Sequence, residues 1–96
     1  MSLVISDIIR EKLASKHGVT ESEVRQCFMN REHKTLFELR VQHLTDPPSQ
    51  WFLARTNRGR LLKIVFVRKD GKYYIKTAFE PSNEAIKHYY RSLGLC

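Results

Sequence analysis

Two tight-turn signals, Asn57-Arg58-Gly59 and Lys69-Asp70-Gly71-Lys72, constrain this chain more than any other feature in it. An Asp-Gly pair accepts the positive φ angles that a two-residue hairpin demands, and Asn57 and Gly59 accept them as readily. Each signal sits between runs rich in apolar and β-branched residues: Trp51–Thr56, Leu61–Arg68 and Tyr73–Glu80. Strands joined this closely pair antiparallel, because a parallel partner needs a long crossover. The prediction is a β-meander. It is preceded by the break Thr45-Asp46-Pro47-Pro48, whose prolines supply no amide donors, and it ends at Pro81.

Helical patterns flank the meander. Ile5, Ile8, Ile9 and Leu13 recur at helical spacing after a cap at Ser6 or Asp7, and His17-Gly18 ends that helix. Thr20 with Glu23 forms a capping box, with Val19 and Val24 at the staple positions around it. Val24, Cys27 and Phe28 should face inward, and the polar stretch Asn30–Lys34 stops this second helix. Leu36–Val41 reads as a short strand. Ser82 or Asn83 caps a last helix with Ile86, Tyr89, Tyr90 and Leu93 on one face, closed by Gly94. The expected fold is a single α+β domain over residues 1–96, in the order α-α-β-β-β-β-α. Its antiparallel meander of three to four strands is covered on one face by helices, giving two layers.

Composition narrows the function. With 42% hydrophobic residues the 96-residue chain is globular in type, and a core this small leaves little room for a buried cofactor. No apolar run approaches the ~18–20 residues of a membrane span, and the start of the chain lacks the pattern of a signal peptide. Cys27 and Cys96 are too few for a disulfide framework, so a cytoplasmic setting is expected. The 17 basic and 10 acidic residues give a net charge of +7, unevenly spread. Residues 1–48 hold seven of each sign, whereas residues 49–96 hold ten basic and three acidic. That imbalance points to an anionic partner, RNA or another polyanion.

Strand period two sorts the side chains. Leu62, Ile64 and Phe66 form one row of their strand, and Leu61, Lys63, Val65 and Val67 the other. On the last strand Tyr73, Ile75, Thr77 and Phe79 oppose Tyr74, Lys76, Ala78 and Glu80. Uncharged rows should lie under the helices, leaving a cationic sheet face that carries a tyrosine. Arg58, Lys63, Arg68, Lys76 and Tyr74 are the candidate RNA- or phosphate-binding residues, since cations hold phosphates and rings stack on bases.

No nucleotide-binding fingerprint, metal-protease helix or Cys-x-x-Cys pair is present. His17, His33, His43 and His88 lack paired metal spacing, so neither metal nor cofactor is expected. RNA cleavage suits such a chain, because the 2′-hydroxyl supplies the nucleophile and the protein need add only a base, an acid and positive charge. Arg55 and Arg60 are the catalytic candidates for charge, Glu80 for the base, and His88 or His43 for acid–base work. The alternative is a non-catalytic module that binds nucleic acid or an acidic partner through the same cations.

Lys16-His17-Gly18-Val19 followed by Val24 and Phe28, then Arg55-Thr56, Gly59-Arg60-Leu61-Leu62 and Val65-Phe66, resembles BrnT-type toxins. Gly71–Ala78 resembles their last strand, and Tyr89 or Tyr90 the tyrosine of their final helix. The resemblance implies a RelE-like fold, ribonuclease toxin activity of the mRNA-interferase kind and a cognate antitoxin as partner. Arg55 and Arg60 are the residues it carries over. Thr77-Ala78-Phe79 stands where those toxins usually have Ser-Ala-Arg, so a cation at the end of the strand is replaced by Phe79.

Overall fold

The computed structural model describes residues 2–40 and 45–95. Val41, which belongs to the expected fourth strand, His43 and Cys96 lie outside the described residues. The chain runs β1 (Leu3–Val4), α1 (Asp7–Lys12, continued by a wider π-helical turn over Leu13–His17), α2 (Glu21–Asn30), β2 (Leu36–Phe37), β3 (Ser49–Arg55), β4 (Leu61–Lys69), β5 (Lys72–Phe79) and α3 (Asn83–Ser92). It is an α+β fold with one five-stranded sheet in the order β1-β5-β4-β3-β2.

Both expected turns form. Lys69 pairs with Lys72 across a two-residue turn in which Asp70 and Gly71 take φ of 53° and 75°. That left-handed pair matches the twist of the strands it joins. The helix ends also form as the sequence predicts. The Ser6 hydroxyl accepts from the amide of Ile9, and the Ser82 hydroxyl from that of Ala85. Thr20 and Glu23 complete a reciprocal capping box. Val19 and Val24, on either side of that box, are buried. Gly18 ends the π-helical turn at φ 60°, the left-handed conformation that lets α2 begin at once.

The sheet departs from the expected meander in three places. The first is β1, which adds parallel to β5 with Leu3 opposite Tyr73, so the sheet is mixed and the order begins with a strand. Two residues are too few to show a period, and the spacing of Ile5 reads with the helical stripe that follows. The second is β2, which pairs with β3 only over Leu36–Phe37; the Glu38 amide still donates to the Ser49 carbonyl at 2.8 Å, and Leu39 and Arg40 lie outside the strand. The third is a bulge in β5. Val65 pairs with Thr77 but Phe66 pairs with Ile75, so Lys76 is the extra residue. An extra residue inverts the alternation beyond it. Tyr73 and Ile75 therefore share a face with Ala78, while Thr77 and Phe79 turn to the Lys63 side. Ala78 is fully buried and Phe79 is not, the reverse of the strict period-two expectation.

The helices cover one face through α1 and α2. Phe28 of α2 packs its ring 4.9 Å from that of Phe52 and 5.6 Å from that of Phe66. Leu62, Ile64 and Phe66 are buried beneath, as their row predicts. On α1, Leu13 is buried and Ile9 packs against the core, but Ile8 points to solvent. The last helix, α3, meets the neighbouring row instead. Tyr89 lies 5.3 Å from Trp51, and strand alternation sets Trp51 on the face opposite Phe52. β3 is thus enclosed on both sides, which is why Trp51, Phe52, Leu53 and Ala54 are all buried.

Candidate polyanion-binding site

Four groups of candidate side chains result, and they differ in what surrounds the charge. The first centres on Arg60, just before β4. Its guanidinium donates to the carbonyls of Gly18 (2.8 Å) and His17 (2.9 Å) and lies 3.3 Å from the Glu23 carboxylate. Those carbonyls are left without helical partners where α1 ends, so the cation caps them and favours that helix end. Glu80 stands 3.8 Å from the Arg60 Nε. Arg60 and Glu80, both expected to carry catalysis, are therefore brought together, but inside a structural knot at the α1–α2 junction.

The second group lies on the α3 side of the sheet. The Lys63 ammonium sits 4.3 Å from the Trp51 ring centre and 5.8 Å from that of Phe79. Burial, with the Arg40 charge adding to it, lowers the Lys63 pKa. His88 stacks on Trp51, with ring centres 6.1 Å apart. The expected cationic face is thus partly covered here: Lys63 is half-buried among rings, and Tyr74, across from Val67, is half-buried on the same face. Glu38 is clamped by Arg40, whose hydrogen bonds hold its carboxyl down at about 2 against the opposing effect of burial. Lys76, the bulge residue, and Arg58, at the turn tip, are exposed.

The third group lines a cleft of about 310 Å³ between the end of α2, β3 and α3. Arg55 is there with Glu32, His33 and Tyr90, the last two rings meeting edge-on at 6.2 Å. Arg55 also donates to the Gly59 carbonyl at 2.8 Å. No hydrogen bond or ion pair among the described residues joins Arg55 or His88 to the Arg60–Glu80 pair.

The fourth group is a groove of about 260 Å³ on the α2 side, at the β4–β5 hairpin end of the sheet. Arg31, Lys34 and Arg68 line it with Thr35, Gln50, Phe66 and Tyr73, and no carboxylate does. Arg31 lies 5.7 Å over Phe52, and Arg68 lies 5.0 Å over Tyr73. Among the described residues none of the three cations forms an ion pair, whereas Arg10, Arg25, Arg40 and Arg60 all do. The loop that carries Arg31 and Lys34 is held in place. The buried Tyr89 donates its hydroxyl to the Lys34 carbonyl at 2.9 Å, and the Thr35 hydroxyl donates to Gln50 Oε1 at 2.7 Å. Of the expected binding residues only Arg68 belongs to this group. Arg31 and Lys34 come from the neutral half of the chain, in the polar stretch that ends α2.

Cys27 is a fully buried core side chain, and that burial pushes its thiol up to about 12, away from the thiolate form. Among the described residues, no three His, Cys, Asp or Glu side chains gather closely enough to hold a metal ion, and no helix is long and apolar enough to cross a membrane. No family model, curated protein or solved structure matches the chain.

Proposed function

We propose that this protein is a nucleic-acid-binding module that holds RNA or a similar polyanion through cations its own carboxylates leave free. The observation that carries this reading is the groove at the hairpin end, where Arg31, Lys34 and Arg68 converge without a carboxylate. Positive charge that has no internal partner is free to displace counterions from phosphates, which is the main source of affinity for nucleic acids. On this reading the protein works in the cytoplasm and needs no cofactor. Fluorescence anisotropy with a short single-stranded RNA tests it. Three phosphate contacts predict an affinity loss of about 20-fold between 50 and 200 mM salt. Absent binding at low salt, or binding indifferent to salt, removes the reading.

A second reading follows the toxin resemblance: an endoribonuclease restrained by a cognate antitoxin. What favours it is the cleft in which Arg55 lies with Glu32, His33 and Tyr90, groups of the kinds that supply charge, base and acid. It predicts RNA cleavage by the wild type that His33→Ala and Arg55→Ala each abolish. RNA left whole after prolonged incubation would sink it, and would leave the binding reading standing.

A further inference from the structure

We infer that the hairpin-end groove takes a phosphate monoester, the singly attached phosphate of a nucleotide or of a strand end, in preference to the internal phosphodiesters of a chain. The inference rests on the nucleic-acid reading and makes it more specific.

Charge is the first argument. An internal phosphodiester carries one negative charge, but a monoester carries roughly −1.5 to −2 at neutral pH and offers three acceptor oxygens. Three cations with no carboxylate among the lining residues match the second group better than the first. Size is the second argument. About 260 Å³ falls below the ~300–1,000 Å³ of sites that enclose a whole drug-sized ligand, so the groove fits a charged headgroup.

Preorganisation is the third. Phe28, Phe52, Phe66 and Tyr73 form one packed aromatic cluster, with ring centres 4.9 to 6.1 Å apart in its contacting pairs. Arg31 lies on its Phe52 and Arg68 on its Tyr73. A guanidinium resting on a ring loses less freedom when it binds, and its planar fork matches phosphate oxygens two at a time. Gln50 adds a neutral donor. Its Oε1 is occupied by the Thr35 hydroxyl, which leaves the amide nitrogen available to a ligand oxygen.

The test compares one short RNA, labelled at its 3′ end, with a 5′-phosphate and with a 5′-hydroxyl. A nucleoside 5′-monophosphate and inorganic phosphate serve as competitors. The phosphorylated strand should bind about tenfold more tightly, a gap of about 1.4 kcal/mol. Arg68→Gln and Arg31→Gln should each erase most of that gap, while Lys12→Gln on the exposed side of α1 should preserve it. Arg68 is exposed, so its variant should melt with the wild type, and a melting curve checks this. Displacement by the mononucleotide that Arg68→Gln abolishes would support the monoester with a free nucleotide as its source. Discrimination between the two strands without such displacement would support it with strand ends as the source. Equal binding of the two strands, with no mononucleotide displacement, would overturn the inference and spare the nucleic-acid reading. Binding of neither strand at low salt would end both.

Discussion

Arg60 and Arg68 stand at opposite ends of β4, and their surroundings give the same side chain two different roles. Arg60 faces the junction of α1 and α2, where two carbonyls and the Glu23 carboxylate take up its donors. Arg68 lies on Tyr73 beside Arg31 and Lys34, and no carboxylate lines the groove they share. Net charge counts these residues alike. A ligand would not, because a guanidinium already bonded within the protein must break those bonds before it can hold a phosphate. What already surrounds a cation, and not only the number of cations, bears on which part of the +7 surface is open to an anion.

The sharpest way to break the comparison is to remove Arg60. Arg60→Ala leaves the His17 and Gly18 carbonyls without their partner and Glu23 with its capping-box bonds to Thr20 alone, at a cost of about 2 kcal/mol in stability. Urea unfolding should show a lower midpoint with an unchanged slope. RNA affinity of the folded protein should stay within a factor of about two, since the groove lies at the other end of β4. Should Arg60→Ala abolish binding in a protein that melts normally, Arg60 would be a ligand-binding residue and the contrast would fail.

The complementary change empties the groove. Arg31→Ala, Lys34→Ala and Arg68→Ala together should lower RNA affinity by about 20-fold or more at 50 mM salt, and should flatten the salt dependence by a slope of about 2. Stability should move by less than about 1 kcal/mol, because the three side chains are exposed or only partly covered. A milder form is Arg68→Lys, which keeps the charge but loses the planar contact with Tyr73. It should weaken binding by about threefold and leave the salt slope unchanged. A full loss of affinity in Arg68→Lys would mean that the guanidinium fork matters more than its charge.

Much of the knot was legible in the sequence and little of the groove was. Thr20 with Glu23 and Gly18 are local devices of the knot, each set by a few adjacent residues, and they form, as does the equally local Asp70-Gly71 turn at the groove's end of the sheet. The single bulged residue Lys76 was not legible, because nothing in the pattern of β5 marks where alternation slips. That slip is enough to exchange Phe79 for Ala78 in the core. The groove depends on contacts between distant segments: Arg31 and Lys34 after α2 meet Arg68 near the end of β4. The uneven charge of the two halves of the chain does not reveal this, since two of the three cations belong to the neutral half. The expected sheet face failed for a related reason. α3 packs on the Trp51 row, so Lys63 is half-buried among rings where solvent was expected.

A paired cation of a third kind gives the smallest expected effect. Arg40 holds Glu38 with three hydrogen bonds, from its amide at 2.9 Å, its Nε at 3.0 Å and its terminal nitrogen at 2.8 Å. These lower the Glu38 carboxyl from its ordinary 4.5 to about 2, despite burial acting the other way. A carboxyl with a lowered folded-state pKa adds stability above its unfolded value, and that contribution is lost as pH falls through the folded one. The wild type should therefore lose this increment between about pH 4.5 and 2, whereas Glu38→Gln has none to lose. Urea midpoints at pH 7 and pH 3 would read it as a gap between the two proteins that narrows in acid. The gap should be small, because Arg40 is 60% exposed and solvent screens the pair. A gap that stays constant from pH 7 to pH 3 would mean that Glu38 matters through its shape and its hydrogen bonds, and that this cation, unlike Arg60, adds nothing through its charge.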